Sequence, residues 1–420
     1  MENNKSEKSQ EYINGSQLTV NRFYSYGKQT IEQDDIDAVI EVLKGDWLTQ
    51  GPFVRQFEED LASKFNAKNV SAVANGTAGL HLIGLALGWT KDDIILTTPI
   101  TFLASANCIL YTGATPDFVD IDPASYTIDI HKLEQKILEY QTKNQNVKAV
   151  VSVDFAGLPC DWKGLRNLAD KYSFQLVNDN CHALGAEIDG DIGYACKYAD
   201  IVNMSFHPVK HITTGEGGAI LTNSKELDSR VKILRTHGMV KENFQNLHPI
   251  PNTQNPEPYT KPPMWYYEMH ELGYNYRITD FQSALGSSQL KKIDRFVGRR
   301  NEIADYYNKA FKNDARFIIP KVNENVRHSY HLYPLQIKFD ELKINKIEFF
   351  EKMRESNIGL QVHYIPIHTQ PYYKNNFGFN EGDFPLAEEF YKNEVSIPIY
   401  PLLENEDLEY IVKTIKHLTK

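Results

Sequence analysis

The sequence predicts an α/β fold: a large unit with a mainly parallel sheet covered by helices, then a smaller C-terminal α+β unit. Three observations carry that expectation. Short β-type runs alternate with helical patterns over roughly the first 230 residues, as βαβ crossovers require. At 420 residues the chain can bury a sizeable core and fits two domains better than one. The rhythm then breaks at residues 241–264, where prolines and asparagines cluster into a long surface loop. The division that follows is a loose tail over 1–20, a large domain over 21–293 and a small domain over 294–420.

Taken in order, the first element is a helix within TIEQDDIDAVIEVLKG, where Ile36, Val39, Ile40 and Leu43 share one face and Gly45 stands at the stop. Strands are expected within VSAVAN, DIILTTP, TPDFVDID, VKAVVSVDF, FQLVND and ADIVNMSF. Helices are expected between them, within TAGLHLIGLAL, HKLEQKILEY and WKGLRNLADKYS. After the loop, one long helical stretch runs from about Thr279 through DFQSALGSSQLKKIDRFVGRRNEIADYYNKAF into the small domain.

Composition excludes several classes of function. Aromatic residues are plentiful, with 24 Tyr and 21 Phe, so disorder is confined to the ends. The net charge of -10, with no basic run, argues against nucleic acid as a partner. Cys108, Cys160, Cys181 and Cys196 form no CxxC pair, which fits a reducing cytoplasm. The polar N-terminus is no signal peptide, and no apolar stretch is long enough for a membrane span.

Open α/β sheets bind ligands beyond the carboxyl ends of their strands, so the residues after each strand carry the chemistry. After SAVA comes Asn75-Gly76-Thr77-Ala78, leading into a helix: close backbone approach at Gly76, a hydroxyl at Thr77 and free amides make a phosphate cradle. An isolated motif of this kind is most often a plain N-cap. After FQLV comes Asp179, a carboxylate able to hold a cationic ring nitrogen, act as a base, bind a metal or simply cap. After ADIVNM comes Ser205, with Lys210 five residues on. Cradle, acid and lysine at one sheet edge are the three fixtures that pyridoxal phosphate needs. Gly215, Gly217 and Gly218 are expected to form a small-residue bed beside that cofactor.

Other motifs lead nowhere. GEGGAI has the wrong spacing for a dinucleotide fingerprint, and HELGY lacks the second histidine of a zinc-protease helix. Asp117, Asp120 and Asp122 lack the glycine turn of a calcium loop, so no metal is expected.

The runs NDNCHALGAE, SFHPVKHITTGEGGAILTN and ELGYNYRITDFQSALGSSQLKKID, in that order, resemble the DegT/DnrJ/EryC1/StrS group of sugar aminotransferases. The likeness extends from about Tyr26 to the C-terminal end. The stretches SYGKQTI, DWLTQGP, WYYEMHELGYNYR, YHLYPL and GLQVHYIPIHTQPYY are similar to its pseudaminic-acid branch. The resemblance implies the aspartate aminotransferase-like fold type I of pyridoxal-phosphate transferases. It also implies pyridoxal 5'-phosphate as cofactor, L-glutamate as amino donor, a UDP-linked 4-keto sugar as acceptor, and a cytoplasmic homodimer sharing its active sites. On this likeness Lys210 would be the Schiff-base lysine, Asp179 would pair with the ring nitrogen, His182 would meet the ring hydroxyl and Phe102 would stack on the ring. Gly76, Thr77 and Ser205 would hold the phosphate, joined by Asn275 from a second subunit. Tyr26, the run Asp46, Trp47, Leu48 and Thr49, and the run Gln361, Val362, His363 and Tyr364 would line the sugar side. The chain departs from its relatives at Asn178 and Asn180, where Glu and a small residue are common around the acid. Two rivals are an aminotransferase for another nucleotide-linked keto sugar and a non-catalytic regulator on the same fold. A sugar 3-dehydratase is opposed by Lys210, which members of that kind replace by histidine.

Overall fold

Seven strands form the central sheet: β1 (Asn69–Val73), β2 (Ile94–Thr97), β3 (Thr115–Phe118), β4 (Val147–Val153), β5 (Gln175–Asp179), β6 (Ile201–Ser205) and β7 (Gly218–Thr222). They appear in a computed structural model that describes residues 22–245 and 264–420. The expected tail, and residues 246–263 of the expected loop, lie outside the described residues. The spatial order is β1-β7-β6-β5-β4-β2-β3. Only β7 runs against its neighbours; the other pairings are parallel.

Alternation along these strands supplies two cores, because successive side chains leave opposite faces of a sheet. Leu176, Val150 and Leu221 join one cluster with Phe57, Leu61 and Trp162, while Val177, Val151 and Ile220 join another with Leu82, Ile83 and Ile109. Both faces are therefore covered, as parallel sheets demand.

Helices α1 (Gln33–Lys44), α2 (Gly76–Ala86) and α3 (Ala104–Tyr111) belong to this unit. The expected long helix is two helices, α4 (Asp280–Leu290) and α5 (Ile293–Phe311). The chain tightens at the junction, where Lys292 N donates to Gln289 O at 3.0 Å. The turn carries the Lys292 ammonium to Asp34 and Asp35 of α1, at 2.6 and 2.7 Å. Burial alone would lower the Lys292 pKa, but these two carboxylates outweigh it and raise it. Asp35 also accepts from Ser288 Oγ at 2.6 Å and Gln289 Nε2 at 2.7 Å.

This polar contact turns α1 round. Its inward face holds Asp35 and Val42, whereas Ile36, Ile40 and Leu43 are 45%, 40% and 57% exposed. The periodic apolar face read from sequence thus points away from the chain's own core.

The smaller unit contains an antiparallel sheet of β8 (Phe317–Ile318), β9 (Tyr333–Ile337) and β10 (Glu394–Ile397). Helix α5 joins the two units without a linker: Ile293 and Val297 lie in the large core, Ile303, Tyr307 and Phe311 in the small one. Tyr24 also packs in the small core, and its backbone pairs with Asn357 and Gly359. The segment around Tyr24, expected within the large domain, is thereby tied to the small one.

Replacing Asp35 with Ala would leave the Lys292 ammonium and two side-chain donors without their buried acceptor. Removal of one partner of a buried ion pair costs about 3–5 kcal/mol. The Asp35→Ala protein should show a clearly lowered thermal unfolding midpoint, measured by calorimetry beside the parent.

Candidate active site

A cleft of about 1070 Å³ opens at the carboxyl edge of the sheet, between the two units. Its floor comes from the ends of adjacent strands: β5 closes on Asp179 and β6 on Ser205. Beyond Ser205 the chain folds into a tight turn, with Phe206 N bonded to Gly217 O, Thr214 N to Phe206 O and Lys210 N to His207 O. That turn delivers Lys210 to the space above Asp179.

Asp179 is 5% exposed and is held from two directions. Ser105 Oγ donates to its Oδ2 at 2.7 Å, and the Cys181 amide donates to its Oδ1 at 3.3 Å. Thr101 Oγ1 lies 2.8 Å from Ser105 Oγ, so a hydroxyl pair at the start of α3 backs the carboxylate.

Lys210 reaches the cleft along a partly accessible stem, but its amine is desolvated. Burial lowers its pKa from the ordinary ammonium range, against the raising influence of Cys181 and Asp179. His331 Nε2 lies 3.4 Å from its Nζ. His331 and His182 are 4% exposed, and burial followed by the Lys210 charge pushes both imidazoles well below their usual pKa. These rings are therefore neutral. His182 Nδ1 accepts from the Ala156 amide at 3.3 Å, which leaves its proton on Nε2, 3.1 Å from the Tyr364 hydroxyl.

At the opposite side, α2 begins. The Asn75 side chain accepts from Ala78 N at 2.8 Å, which leaves the Gly76 and Thr77 amides turned to the cleft without a protein acceptor among the described residues. A Cβ at position 76 would stand 3.0 Å from Ser205 Cβ and 3.3 Å from Cys181 Sγ. Glycine there keeps open a hollow that any side chain would fill.

Gly76, Thr77, Phe102, Asp179, His182, Ser205 and Lys210 all line this cleft, as do Tyr26 and the run Gln361, Val362, His363 and Tyr364. Phe102 is 55% exposed at the mouth, its ring centroid 6.0 Å from that of Tyr364.

Five expected residues lie elsewhere. Asn275 is exposed and bridges Thr236, outside the cleft of its own chain. Asp46, Trp47, Leu48 and Thr49 lie at the start of α4, where Leu48 O accepts from Asp280 N and Thr49 bridges Thr279; Trp47 is 59% exposed.

The expected glycine bed is corrected. None of Gly215, Gly217 and Gly218 lines the cleft. A Cβ on Gly218 would meet Asn75 C at 2.7 Å and Gly76 N at 2.8 Å, one on Gly217 would strike Thr214 Oγ1 at 2.1 Å, and Gly215 adopts φ +81°. These residues close the lysine turn and let it pack beneath the start of α2.

Sequence reasoning missed Ser105, Thr101 and His331. Ser105 and Thr101 are four apart at a helix start, a pattern shared with ordinary caps. His331 sits among apolar residues in YHLYPL, where a histidine reads as core. Pairs of titratable groups with displaced pKa values in a cleft are a mark of proton chemistry.

Comparison with known proteins agrees with this geometry. Residues 29–416 match the DegT/DnrJ/EryC1/StrS aminotransferase family. A UDP-4-amino-4,6-dideoxy-N-acetyl-β-L-altrosamine transaminase of Campylobacter jejuni, strain 81-176, is 39% identical over 392 residues, covering 93% of this chain and 96% of its own. The structure of Helicobacter pylori PseC, an aminotransferase involved in pseudoaminic acid biosynthesis, superposes with a TM-score of 0.83 at 32% identity, covering 95% of this chain and 99% of PseC. Spr1654 of Streptococcus pneumoniae in its PLP form superposes with a TM-score of 0.81 at 26% identity, covering 94% of this chain and 98% of Spr1654.

Ser105→Ala removes one of the two donors on a buried carboxylate. A hydrogen bond to a charged group is worth about 1.5–3 kcal/mol. The variant's free energy of unfolding should fall by that amount, read from denaturant unfolding followed by circular dichroism.

Proposed function

Since the chain belongs to the DegT/DnrJ/EryC1/StrS aminotransferase family, we propose that it transfers an amino group from L-glutamate to the 4-keto carbon of a UDP-linked 4-keto-6-deoxy-N-acetylhexosamine. The product is UDP-4-amino-4,6-dideoxy-N-acetyl-β-L-altrosamine, on the route to pseudaminic acid. The observation that carries this reading is the meeting, in one cleft, of a desolvated lysine amine, a buried carboxylate and a glycine hollow faced by two free amides.

Those residues fit pyridoxal 5'-phosphate. Its phosphate suits the Gly76 and Thr77 amides with the Ser205 hydroxyl, because a Cβ at 76 would fill that hollow. Asp179 would hold the protonated ring nitrogen, His182 the ring hydroxyl, Phe102 the ring face and Lys210 the aldehyde carbon. When bound, the cofactor supplies an electron sink for the carbanion at the reacting carbon.

The chain's own groups do the rest. Lys210 Nζ, whose charge burial disfavours, would take the proton from the α-carbon of the donor and give it back as transfer proceeds; with the keto sugar it would move the proton in the opposite sense. Ser105 and the Cys181 amide keep the Asp179 carboxylate aimed at its target. Neutral His182 and His331 add no positive charge beside the amine, so they do not compete for Asp179. Donor and acceptor occupy the same cleft in turn, which gives ping-pong kinetics.

Asn275 and the run from Asp46 to Thr49 would serve the cleft of a second copy in a homodimer. The exposed apolar stripe of Ile36, Ile40 and Leu43 on α1 supports such a contact. Four unpaired thiols suit a cytoplasmic location.

Glutamate supplied with a panel of 4-keto nucleotide sugars tests the substrate: the UDP-linked 6-deoxy-N-acetylhexosamine should be aminated fastest, and rapid turnover of another sugar with this one ignored would sink the assignment. Lys210→Ala should lose transfer entirely, by at least about 10⁴-fold, while circular dichroism stays as in the parent. Asn275→Ala alone should retain cofactor weakly after dialysis. Mixing it with Lys210→Ala should restore part of the activity once subunits have exchanged, and no recovery after demonstrated exchange would rule out sharing.

A further inference from the structure

A fully buried carboxylate, Glu394, stands behind the cleft with no lysine or arginine in ion-pair contact among the described residues. It lies on β10, two residues before Ser396, so both side chains leave the same face of the strand. Residues 361–363 run alongside: Gln361 and Ser396 exchange backbone hydrogen bonds at 3.3 and 2.8 Å. This pairing brings His363 over Glu394 and Ser396.

The hydrogen bonds form a chain. The His363 amide donates to Glu394 Oε2 at 2.9 Å, Ser396 Oγ donates to Glu394 Oε1 at 2.5 Å, and His363 Nδ1 lies 2.8 Å from Ser396 Oγ. With the serine proton spent on the carboxylate, Ser396 Oγ accepts from His363, which puts the imidazole proton on Nδ1. The ring lines the cleft, and its Nε2 has no protein partner among the described residues and is not sealed away. Burying a carboxylate costs several kcal/mol unless it is compensated, and the two hydrogen bonds of this one come from the His363 backbone amide and from the serine that meets the His363 ring.

We propose that His363, Ser396 and Glu394 form a proton relay, taking a proton from the ammonium group of an incoming amine at His363 Nε2 and storing it on Glu394. The proposal rests on the aminotransferase reading, since a donor amine must shed a proton before it can attack. Only N–H and O–H bonds change. Nε2 gains the substrate's proton, Nδ1 passes its own to Ser396 Oγ, and Ser396 passes its own to Glu394 Oε1. The ammonium becomes an amine, the carboxylate becomes a carboxylic acid, and His363 stays neutral with its tautomer exchanged. Reversal returns the proton to the departing amine.

The surroundings suit that traffic. Burial pushes Glu394 up to about 7, with Ser396, the His363 amide and the Lys346 charge pulling the other way. Burial followed by the Lys210 charge lowers His363 to about 3, so the ring carries no lasting charge. The other titratable groups facing Glu394 are Lys346, whose ammonium donates to Tyr391 O at 2.5 Å, and the phenols Tyr126 and Tyr364, both held protonated by burial. Lys346 is lowered to about 8 by the same burial.

The test uses the full-length holoprotein labelled with ¹⁵N at histidine, with the His363 signals assigned through His363→Gln. In the parent, His363 should carry its proton on Nδ1 at pH 8.5 and on Nε2 at pH 5.5, with a midpoint near the Glu394 value of about 7. In Glu394→Gln the tautomer should not respond to pH. Single-turnover amino transfer from glutamate should fall about 100-fold in Glu394→Gln and in Ser396→Ala, with half-saturation by glutamate unchanged, and Ser396→Thr should restore it. One tautomer throughout the pH range in the parent, or parental turnover in Ser396→Ala, would overturn the relay. If the parent transfers no amino group at all, the proposed function falls, and the parent's tautomer measurement still decides whether the relay exists.

Discussion

The cleft depends on keeping one amine out of water. An ammonium group at the Lys210 position would have no free electron pair and be useless as a nucleophile. Burial works against that form by disfavouring the charge, and the neighbouring imidazoles are neutralised by the same desolvation. Two donors hold Asp179 in place of water.

Sheet topology makes that pocket. Neighbouring parallel strands end together, so β5 and β6 present acid and hydroxyl side by side, and the antiparallel β7 returns the lysine turn beneath α2. The small unit closes the other wall through residues 361–364, secured by their pairing with Ser396. Helix α5 runs through both cores, which couples the two walls rigidly.

Much of this could be read in the chain. The strand runs ending at Asp179 and Ser205 and the cap at Asn75 are local patterns, and local patterns survive folding. What could not be read arises from contacts distant in sequence. The apolar face of α1 looked like core, but the Asp35–Lys292 contact, whose partners are 257 positions apart, turned it outward. The long helix broke where Lys292 had to reach that same acid. Gly217 and Gly218 looked like cofactor neighbours and instead make room for Thr214 and the Asn75–Gly76 backbone. Glu394 and Ser396 alternate with Val395 and Ile397 on a buried strand, and nothing local reveals that their face meets a histidine thirty residues earlier.

The central claim is that the Lys210 amine is the group that bonds covalently to pyridoxal phosphate. The direct measurement is to saturate the purified protein with the cofactor, reduce with borohydride, digest, and sequence the labelled peptide by mass spectrometry. The account predicts a single pyridoxyl adduct on Lys210, in the peptide containing SFHPVKHITTGEGG. An adduct on any other lysine, or none in saturated protein, contradicts it.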